Sequence, residues 1–545
     1  MRVGELLLQK GIITEDQLKA ALEEQKKHTS KKLLDILLEK GLISKKHYLE
    51  TMSKQMGINY IDNLEHVRLR DIKIPVNILK QTQAIPVEIK YDKVVVAMAD
   101  PLDWNAQALI KRFFHDKNLE IVLGFKDDIR KIIKKVEDRE KVREILNDIK
   151  KELQGQEVKG EESAVMRLIK YIVISAIERN ASDIHIEAEE GEAEVRIRIF
   201  GTLYEFLDFD EKIFNAINSR IKLLAGLDVS EKRKPQDGSF SMEFGKNKFD
   251  FRVSTLPTIW GESIVIRILD KRSILKKIDE IGITSKNLNL IKKALSQPNG
   301  IFLVTGPTGS GKSTTLYAAL NEINSTDKKI ITVEDPVEYK LKGIQQVQVN
   351  PKVGLTFAGA LRSILRQDPD IIMIGEIRDL ETLEIAIKAA MTGHLVLSTL
   401  HTNDAVSSIN RMIDMGADSF LVATALIGIE AQRLVKTICP YCKTTYKPAD
   451  VYLDPIKNII KKDTVFYKGK GCEKCNMTGF AGRTLITEVF LNDENLETLI
   501  SKKKEKIELL HYLKSQGFKT MFYDGLQKAI NGITTLEEVY RVAKL

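Results

Sequence analysis

Apolar positions along this chain change period several times, and each change marks a different piece of architecture. At the start, leucines and isoleucines recur at helical spacing in two copies of one unit. Arg2-Val3-Gly4-Glu5-Leu6-Leu7-Leu8-Gln9-Lys10-Gly11-Ile12-Ile13 returns as Lys32-Leu33-Leu34-Asp35-Ile36-Leu37-Leu38-Glu39-Lys40-Gly41-Leu42-Ile43, and Gln25 is matched by Gln55. Each copy predicts two short helices, with Gly11 and Gly41 as C-caps, Thr14 and Ser44 as the next N-caps, and Gln17 completing a capping box. From Asn59 the period becomes mixed: residues 93–99 and 119–123 predict strands around a helix over 104–114, a small α/β unit. Charged residues dominate 134–162, which predicts a solvated helix running into a flexible linker near Gly155 and Gly160. A second α/β unit opens with an amphipathic helix over 164–179. Its strands, 183–187, 194–200, 249–254 and 264–269, include several that alternate in polarity as half-buried strands do. Beyond Ile283 the strand segments turn continuously apolar, at 301–304, 330–333, 371–374 and 395–398, which suits a parallel sheet covered on both faces.

With 545 residues the chain exceeds a single hydrophobic core, so roughly three or four domains are expected. The pattern places a helical repeat at 1–58, an α/β subdomain at 59–135, a charged linker at 136–162 and a second domain at 163–275. The remaining core, 276–545, includes a cysteine-bearing region at 439–482 and a helical C-terminal part at 483–545. The net charge of +8 is modest and its acids and bases are interspersed, so a solvated surface is expected and no nucleic-acid partner. No apolar run reaches bilayer length, since the best, 420–429, is short and broken by Thr424. Glu5 and Gln9 interrupt the first apolar stretch, unlike a signal peptide, and a cytoplasmic location is expected.

The sharpest chemical feature is Gly306-Pro307-Thr308-Gly309-Ser310-Gly311-Lys312-Ser313-Thr314. It fits G-x-x-x-x-G-K-[ST] between an apolar strand and a helix starting at Lys312. Glycines let backbone N–H groups turn onto phosphate oxygens, Lys312 reaches the β/γ-phosphates, and the Ser313 hydroxyl suits Mg²⁺. The later strands end in Glu334-Asp335-Pro336-Val337-Glu338, in Gly375-Glu376-Ile377-Arg378-Asp379 and in Leu400-His401. In an open α/β sheet such ends share the ligand edge, so one carboxylate there would orient or deprotonate water while others hold Mg²⁺ through water. His394 and His401 are candidates for the same site.

All four cysteines fall in two C-x-x-C pairs, Cys439/Cys442 and Cys472/Cys475. That spacing aims both thiolates of a pair at one ion, and two pairs close a tetrahedral Zn²⁺ shell with no place for water, which predicts a structural metal.

These residues together resemble a known family. The phosphate loop, Glu334-Asp335-Pro336-Val337-Glu338-Tyr339, Leu361-Arg362-Ser363-Ile364-Leu365-Arg366-Gln367-Asp368-Pro369-Asp370 with Gly375-Glu376-Ile377-Arg378-Asp379, and Thr392-Gly393-His394 to Leu400-His401-Thr402-Asn403-Asp404-Ala405 look like the Walker A, Asp box, Walker B and His box of the secretion ATPase superfamily, specifically the assembly ATPases of type IV pili and type II secretion. The likeness runs upstream through Ala181-Ser182-Asp183-Ile184-His185-Ile186-Glu187 and Lys234-Pro235-Gln236-Asp237-Gly238, and down to the cysteines.

It implies a RecA-like P-loop core with a zinc-knuckle insert, a PAS-like α/β second domain, and an N-terminal helical repeat plus α/β domain. It assigns Lys312 and Ser313 to phosphate and Mg²⁺, Glu334 to water activation and Glu376 to the Walker B acid. Gly375 stands where P-loop enzymes commonly have the Walker B Asp, so metal contact is expected to run through water. The implied charge-neutralising arginines are Arg252 and Arg267 in the second domain and Arg362 and Arg366 in the core. Pilus retraction ATPases resemble the core but lack the cysteine insert and a long N-terminal region, so the resemblance is to an assembly or export motor.

The repeat resembles the N-terminal domain of such ATPases, some of which bind cyclic di-GMP. Arg2, Gly4, Leu7, Gly11 and Gln25 fit that motif, whereas Leu34 replaces the small residue in the second copy and obstructs ligand approach. Docking to a membrane-anchored cytoplasmic adaptor is therefore the use expected of the repeat, with cyclic di-GMP binding the alternative. The implied whole is a homohexameric Mg-ATP motor held at an inner-membrane platform protein, for pilus extension or, alternatively, type II secretion. A nucleic-acid motor would need a basic, aromatic-bearing strand-binding loop, which the sequence lacks.

Overall fold

The computed structural model describes residues 3–27, 32–40, 42–64, 67, 72–156, 162–245, 247–269, 277–461 and 463–545. Arg2, Gly41 and Gly160, used in reading the repeat and the linker, lie outside them. Two compact units result, Met1–Asp270 with Cys439–Lys447 and Lys468–Phe480, and Lys271–Ile438 with Pro448–Tyr467 and Ala481–Leu545.

The first unit begins with helices Val3–Gln9, Glu15–Lys27, Leu33–Glu39 and Lys45–Met56. Their apolar stripes meet in one cluster that holds Leu7, Ala21, Leu34, Leu37 and Leu49 from both copies of the repeat. A Cβ added to Gly4 would lie 2.8 Å from Leu18 Cδ1, so this glycine is used by helix packing. Leu34, its counterpart, is itself buried. Next comes a four-stranded sheet in the order Tyr60–Ile61, Asn118–Gly124, Lys93–Met98, Ala84–Ile89, with helices Val76–Thr82 and Trp104–Lys111.

The charged linker expected at 136–162 is instead largely a packed helix, Lys126–Leu153. Ile129, Ile132, Ile133 and Val136 bury into the four-stranded subdomain, while Val142 and Ile149 bury into the next core. Ile145 and Leu146 pack against the same core, and most of the remaining positions are Lys, Glu, Asp or Arg, so overall charge hides a continuous apolar stripe.

That next core lies under a six-stranded antiparallel sheet ordered Thr202–Asp210, Glu192–Ile199, Ala181–Ala188, Gly261–Leu269, Asn247–Thr258, Gln236–Phe244. Alternate residues of Glu192–Ile199 are buried, as the polarity pattern predicted, beneath helices Ala164–Glu178 and Glu211–Leu224. The other face carries the charged side chains.

The second unit is built on seven strands ordered Gln345–Gln348, Ile330–Glu334, Ile371–Ile374, Leu395–Leu400, Gly300–Thr305, Leu426–Ile438, Phe480–Leu491. The first six pair in parallel. Every residue of the four strands Ile330–Glu334, Ile371–Ile374, Leu395–Leu400 and Gly300–Thr305 is buried, which is why they read as unbroken apolar runs. Gly300 pairs with Leu395 and Thr305 with Leu400, so Gly306 and His401 leave the sheet at the same carboxyl edge. Among the described residues no helix is long and apolar enough to cross a membrane.

Candidate functional site

The phosphate loop joins Gly300–Thr305 to the helix Lys312–Ile323. Gly309 and Gly311 hold φ of +77° and +92°, and a Cβ on Gly306 would come within 2.5 Å of Ser310 Oγ and 2.7 Å of the Gln432 carbonyl oxygen. Glycine is therefore required both for the turn and for the close approach of two backbones. Lys312 Nζ donates to the carbonyls of Gly306 (2.9 Å) and Pro307 (3.1 Å), which folds it over the loop. Burial holds its pKa below the ordinary lysine value, with Glu376 opposing that shift. Ser313 and Thr314 are exposed in the first turn of the helix, where a phosphate-bound cation could reach a hydroxyl.

Two residues that sequence reasoning passed over support this loop from the strand Leu426–Ile438. Gln432, fully buried, accepts from Thr315 Oγ1 (2.7 Å) and donates to the Ser310 carbonyl (2.8 Å). Arg433 donates to the carbonyls of Gln432 and Asn403, both at 2.9 Å. A polar pair inside an otherwise buried apolar strand was the available signal.

The acids fall into two environments. Glu334 is 4% exposed and its carboxylate accepts from three donors: Tyr317 Oη, Thr332 Oγ1 at 2.6 Å and Gln346 Nε2 at 3.1 Å. Burial and the Glu334 charge together push the Tyr317 hydroxyl well above its usual range. Glu376 is paired instead with Arg378 and with His401 Nε2 at 3.1 Å. Burial raises its pKa, but Arg378 and His401 outweigh that and hold the carboxyl below the usual glutamate range. At Gly375 a Cβ would meet the Val333 carbonyl at 3.3 Å, and its N–H donates to that carbonyl at 2.8 Å. The strand crossing is thus tight where other P-loop enzymes carry a side chain.

His394 corrects the sequence reading. It precedes Leu395, its carbonyl accepts from Gly300 N, and its Nδ1 lies 2.8 Å from the Ala389 carbonyl, closing the helix Leu380–Met391. That is the amino edge of the sheet, a full strand length from Gly306, because the residue begins its strand rather than ending it. Arg362 pairs with Glu381 and Arg366 donates to the Arg362 carbonyl at 2.9 Å, so both lie along the surface of the helix Phe357–Ile364. In the first unit, Arg252 and Arg267 stand opposite each other on neighbouring strands, and Arg267 Nε donates to Asp183 Oδ1 at 3.0 Å.

The four cysteine sulfurs lie within 4.8 Å of one another, with Cys439–Cys472 and Cys442–Cys475 at 3.9 Å and Cys472–Cys475 at 3.7 Å. A tetrahedron with metal–sulfur bonds of about 2.3 Å has edges of about 3.8 Å, so the donor set fits Zn²⁺. The N–H groups of Cys472 (3.2 Å) and Gly479 (3.3 Å) point at Cys475 Sγ, as expected of a thiolate ligand's outer support. Gly469 and Gly479 close the loop that carries the second knuckle, since a Cβ on Gly469 would sit 2.0 Å from the Gly479 carbonyl oxygen, and the N–H groups of Cys439 and Lys470 join the two knuckles by donating to the Gly479 (2.9 Å) and Cys442 (3.0 Å) carbonyls. The 439–482 region, expected within the core, is divided. Its cysteine-bearing stretches Cys439–Lys447 and Lys468–Phe480 belong to the first unit, and Pro448–Tyr467 to the second.

Behind the phosphate loop, Glu430 is fully buried and neither carboxyl oxygen has a hydrogen-bond partner. Burial pushes its pKa up to about 8 against Lys528, from an ordinary value of 4.5. Between those values the unfolded chain releases the proton that the native state keeps, so native stability falls as pH rises through that window and levels off above it. Glu430→Leu should abolish this dependence and raise the thermal midpoint by roughly 3 °C or more in excess at pH 8 over pH 5. Thermal melts showing equal gains at both pH values would refute it.

The family model described as type II/IV secretion system protein matches residues 158–541, and the MshEN domain matches residues 57–143. The type IV pilus assembly ATPase PilB of Myxococcus xanthus is 40% identical, covering 99% of this chain and 98% of that protein. The type II secretion system protein E of Dickeya dadantii is 48% identical over 71% of this chain and 77% of its own length. Among solved structures, the ATPase DotB of Yersinia pseudotuberculosis superposes with a TM-score of 0.52 at 21% identity, over 71% of this chain and 94% of that one, a likeness of fold.

Proposed function

We propose that this chain, which belongs to the type II/IV secretion system protein family and is one of its ATP hydrolases, is a homohexameric cytoplasmic motor that powers pilin assembly at an inner-membrane platform protein. Relatives of both kinds align along nearly the whole of both chains, a pilus assembly ATPase at 40% identity and a type II secretion protein E at 38%, and the pilus reading rests on the slightly higher figure. Type II secretion is the second reading, favoured by 48% identity to another protein E over 386 residues. Domain organisation follows the two α/β parts of the first unit and the P-loop core, and the repeat serves an adaptor. Gly4 is covered by Leu18 and Leu34 is buried, which argues for helix packing over a cyclic di-GMP cradle.

The observation that carries the catalytic reading is the shared edge: the strands that end at Thr305 and Ile374 both pair in parallel with Leu395–Leu400, so the loop bearing Lys312 and the turn bearing Glu376 leave the sheet at the same carboxyl end. Water would attack the γ-phosphate in line, with Glu376, held ionised by Arg378 and His401, orienting it or its metal-bound neighbour. Ser313 would hold Mg²⁺, which neutralises charge on the phosphates when bound. Glu334, almost fully buried and held by three donors, would shape the strand edge in place of the water-activating role that the resemblance implies. Arg252 and Arg267 would reach the phosphates on closure of a domain or a neighbouring subunit, with Arg362 and Arg366 adding positive charge. Such an arginine is worth on the order of 10³ to 10⁵ in rate in other NTPases.

Glu376→Gln should preserve ATP binding and lower kcat by about 10² to 10³. Glu334→Gln should cost less. Steady-state hydrolysis with nucleotide-binding titrations checks both, and a larger loss at Glu334 would reverse the assignment.

A further inference from the structure

We propose that Asp183 is a positioning residue for the arginine that the first unit contributes to hydrolysis. This rests on the reading of Arg267 as a phosphate-binding group. The strand registers put Ser239, Arg252, Arg267, Asp183 and Arg198 in one row across five neighbouring strands of the six-stranded sheet. Directly opposed cross-strand residues have Cβ atoms about 5 Å apart, and like charges so placed repel. A row of three arginines is therefore unfavourable by itself, and Asp183 is the carboxylate inserted between two of them. Its side chain is only 10% exposed, whereas that of Arg267 is 60% exposed. The acid is part of the sheet; the base stands out from it.

The contacts give that pairing a direction. Ser182 Oγ donates to Asp183 Oδ2 at 2.8 Å and fixes the carboxylate, whose Oδ1 accepts from Arg267 Nε at 3.0 Å. Arg198 Nε lies farther, at 3.9 Å from Oδ2. A guanidinium has five N–H donors, and the one on Nε is the only donor on its stem side. Gripping Arg267 there leaves the four terminal N–H groups for a phosphate, while the neighbouring negative charge offsets repulsion from Arg252. Pre-setting a donor's orientation matters most where charge builds up during reaction, so the effect belongs in kcat rather than in nucleotide affinity.

The test is steady-state ATPase kinetics on the full-length assembled protein. Asp183→Asn should lower kcat by about tenfold, leave KM for ATP within about twofold, and add less than about twofold when Arg267 is already alanine. Ser182→Ala, a milder change, should lower kcat by about twofold to threefold with KM unmoved, and it carries the test if Asp183→Asn does not fold. Wild-type kcat in Asp183→Asn, or in Ser182→Ala where that variant stands alone, overturns the proposal. So does a loss that multiplies in full on the Arg267→Ala background, which would mark a purely structural acid. If Arg267→Ala alone turns over at the wild-type rate, the reading of Arg267 itself fails, and that result is separate from any measurement on Asp183.

Discussion

Lys312→Ala is expected to lower ATP turnover by about 10³-fold or more, below the reach of a routine phosphate-release assay. The lysine is held over the phosphate loop by two carbonyls that a γ-phosphate would replace with a far stronger acceptor. Its depressed pKa measures what burial costs the ammonium, and a bound polyphosphate would relieve that cost. Arg433, a cation that also acts on Lys312, is committed to the carbonyls of Gln432 and Asn403. Arginine at 312 would keep the charge, but a planar fork cannot follow the lysine's curl over the loop, so Lys312→Arg should also be poor. Measurable turnover above about 10% of wild type in Lys312→Ala would remove the phosphate loop from the catalytic assignment, provided the assembled protein still melts as wild type does.

What the sequence disclosed depended on whether the information was local. The phosphate loop, the strand-end acids and the paired cysteines are each contiguous, and their chemistry follows from spacing alone. Gln432 and Arg433 escaped because their work is done on a loop that precedes them by more than a hundred residues, through a parallel pairing that no local pattern announces. His394 was placed on the wrong edge for a related reason. Thr392-Gly393-His394 and Leu400-His401 look like one box in the sequence, but the strand Leu395–Leu400 runs between them, so His394 and His401 occupy opposite ends of it. Composition predicts a solvated helix leading into a linker at 134–162, whereas the helix Lys126–Leu153 is packed, because its isoleucines and valines keep helical spacing through the most charged part of the chain. The edge strand Gln236–Phe244 went unseen since most of its residues remain at least partly exposed and only Phe240 is buried. Asp183 was visible as part of a motif, yet its partner Arg267 is 84 positions away, and only the sheet register joins them.

Cys442→Ser is expected to reduce bound zinc from about one ion per chain to near zero, and to loosen the first unit without touching the phosphate loop. Structural zinc sites gain about 10 to 16 kcal/mol from the metal in small zinc-finger peptides, so losing one thiolate of four should be felt as unfolding of the knuckle rather than as weakened binding alone. Around the knuckles, the short strands Lys443–Tyr446 and Phe466–Gly469 form a two-stranded sheet, and Gly469 and Gly479 meet backbone to backbone. Because Cys439–Lys447 and Lys468–Phe480 belong to the first unit while the chain on either side belongs to the second, proteases should cut the variant within 439–480 first. A closed four-sulfur shell leaves no position for water, so the intrinsic chemistry at Lys312 and Glu376 should persist in whatever fraction stays assembled. Metal analysis of the purified protein and limited proteolysis with mass mapping check the two halves of this prediction. A stable wild type that carries no zinc, or a Cys442→Ser protein that keeps it in full, would overturn the knuckle.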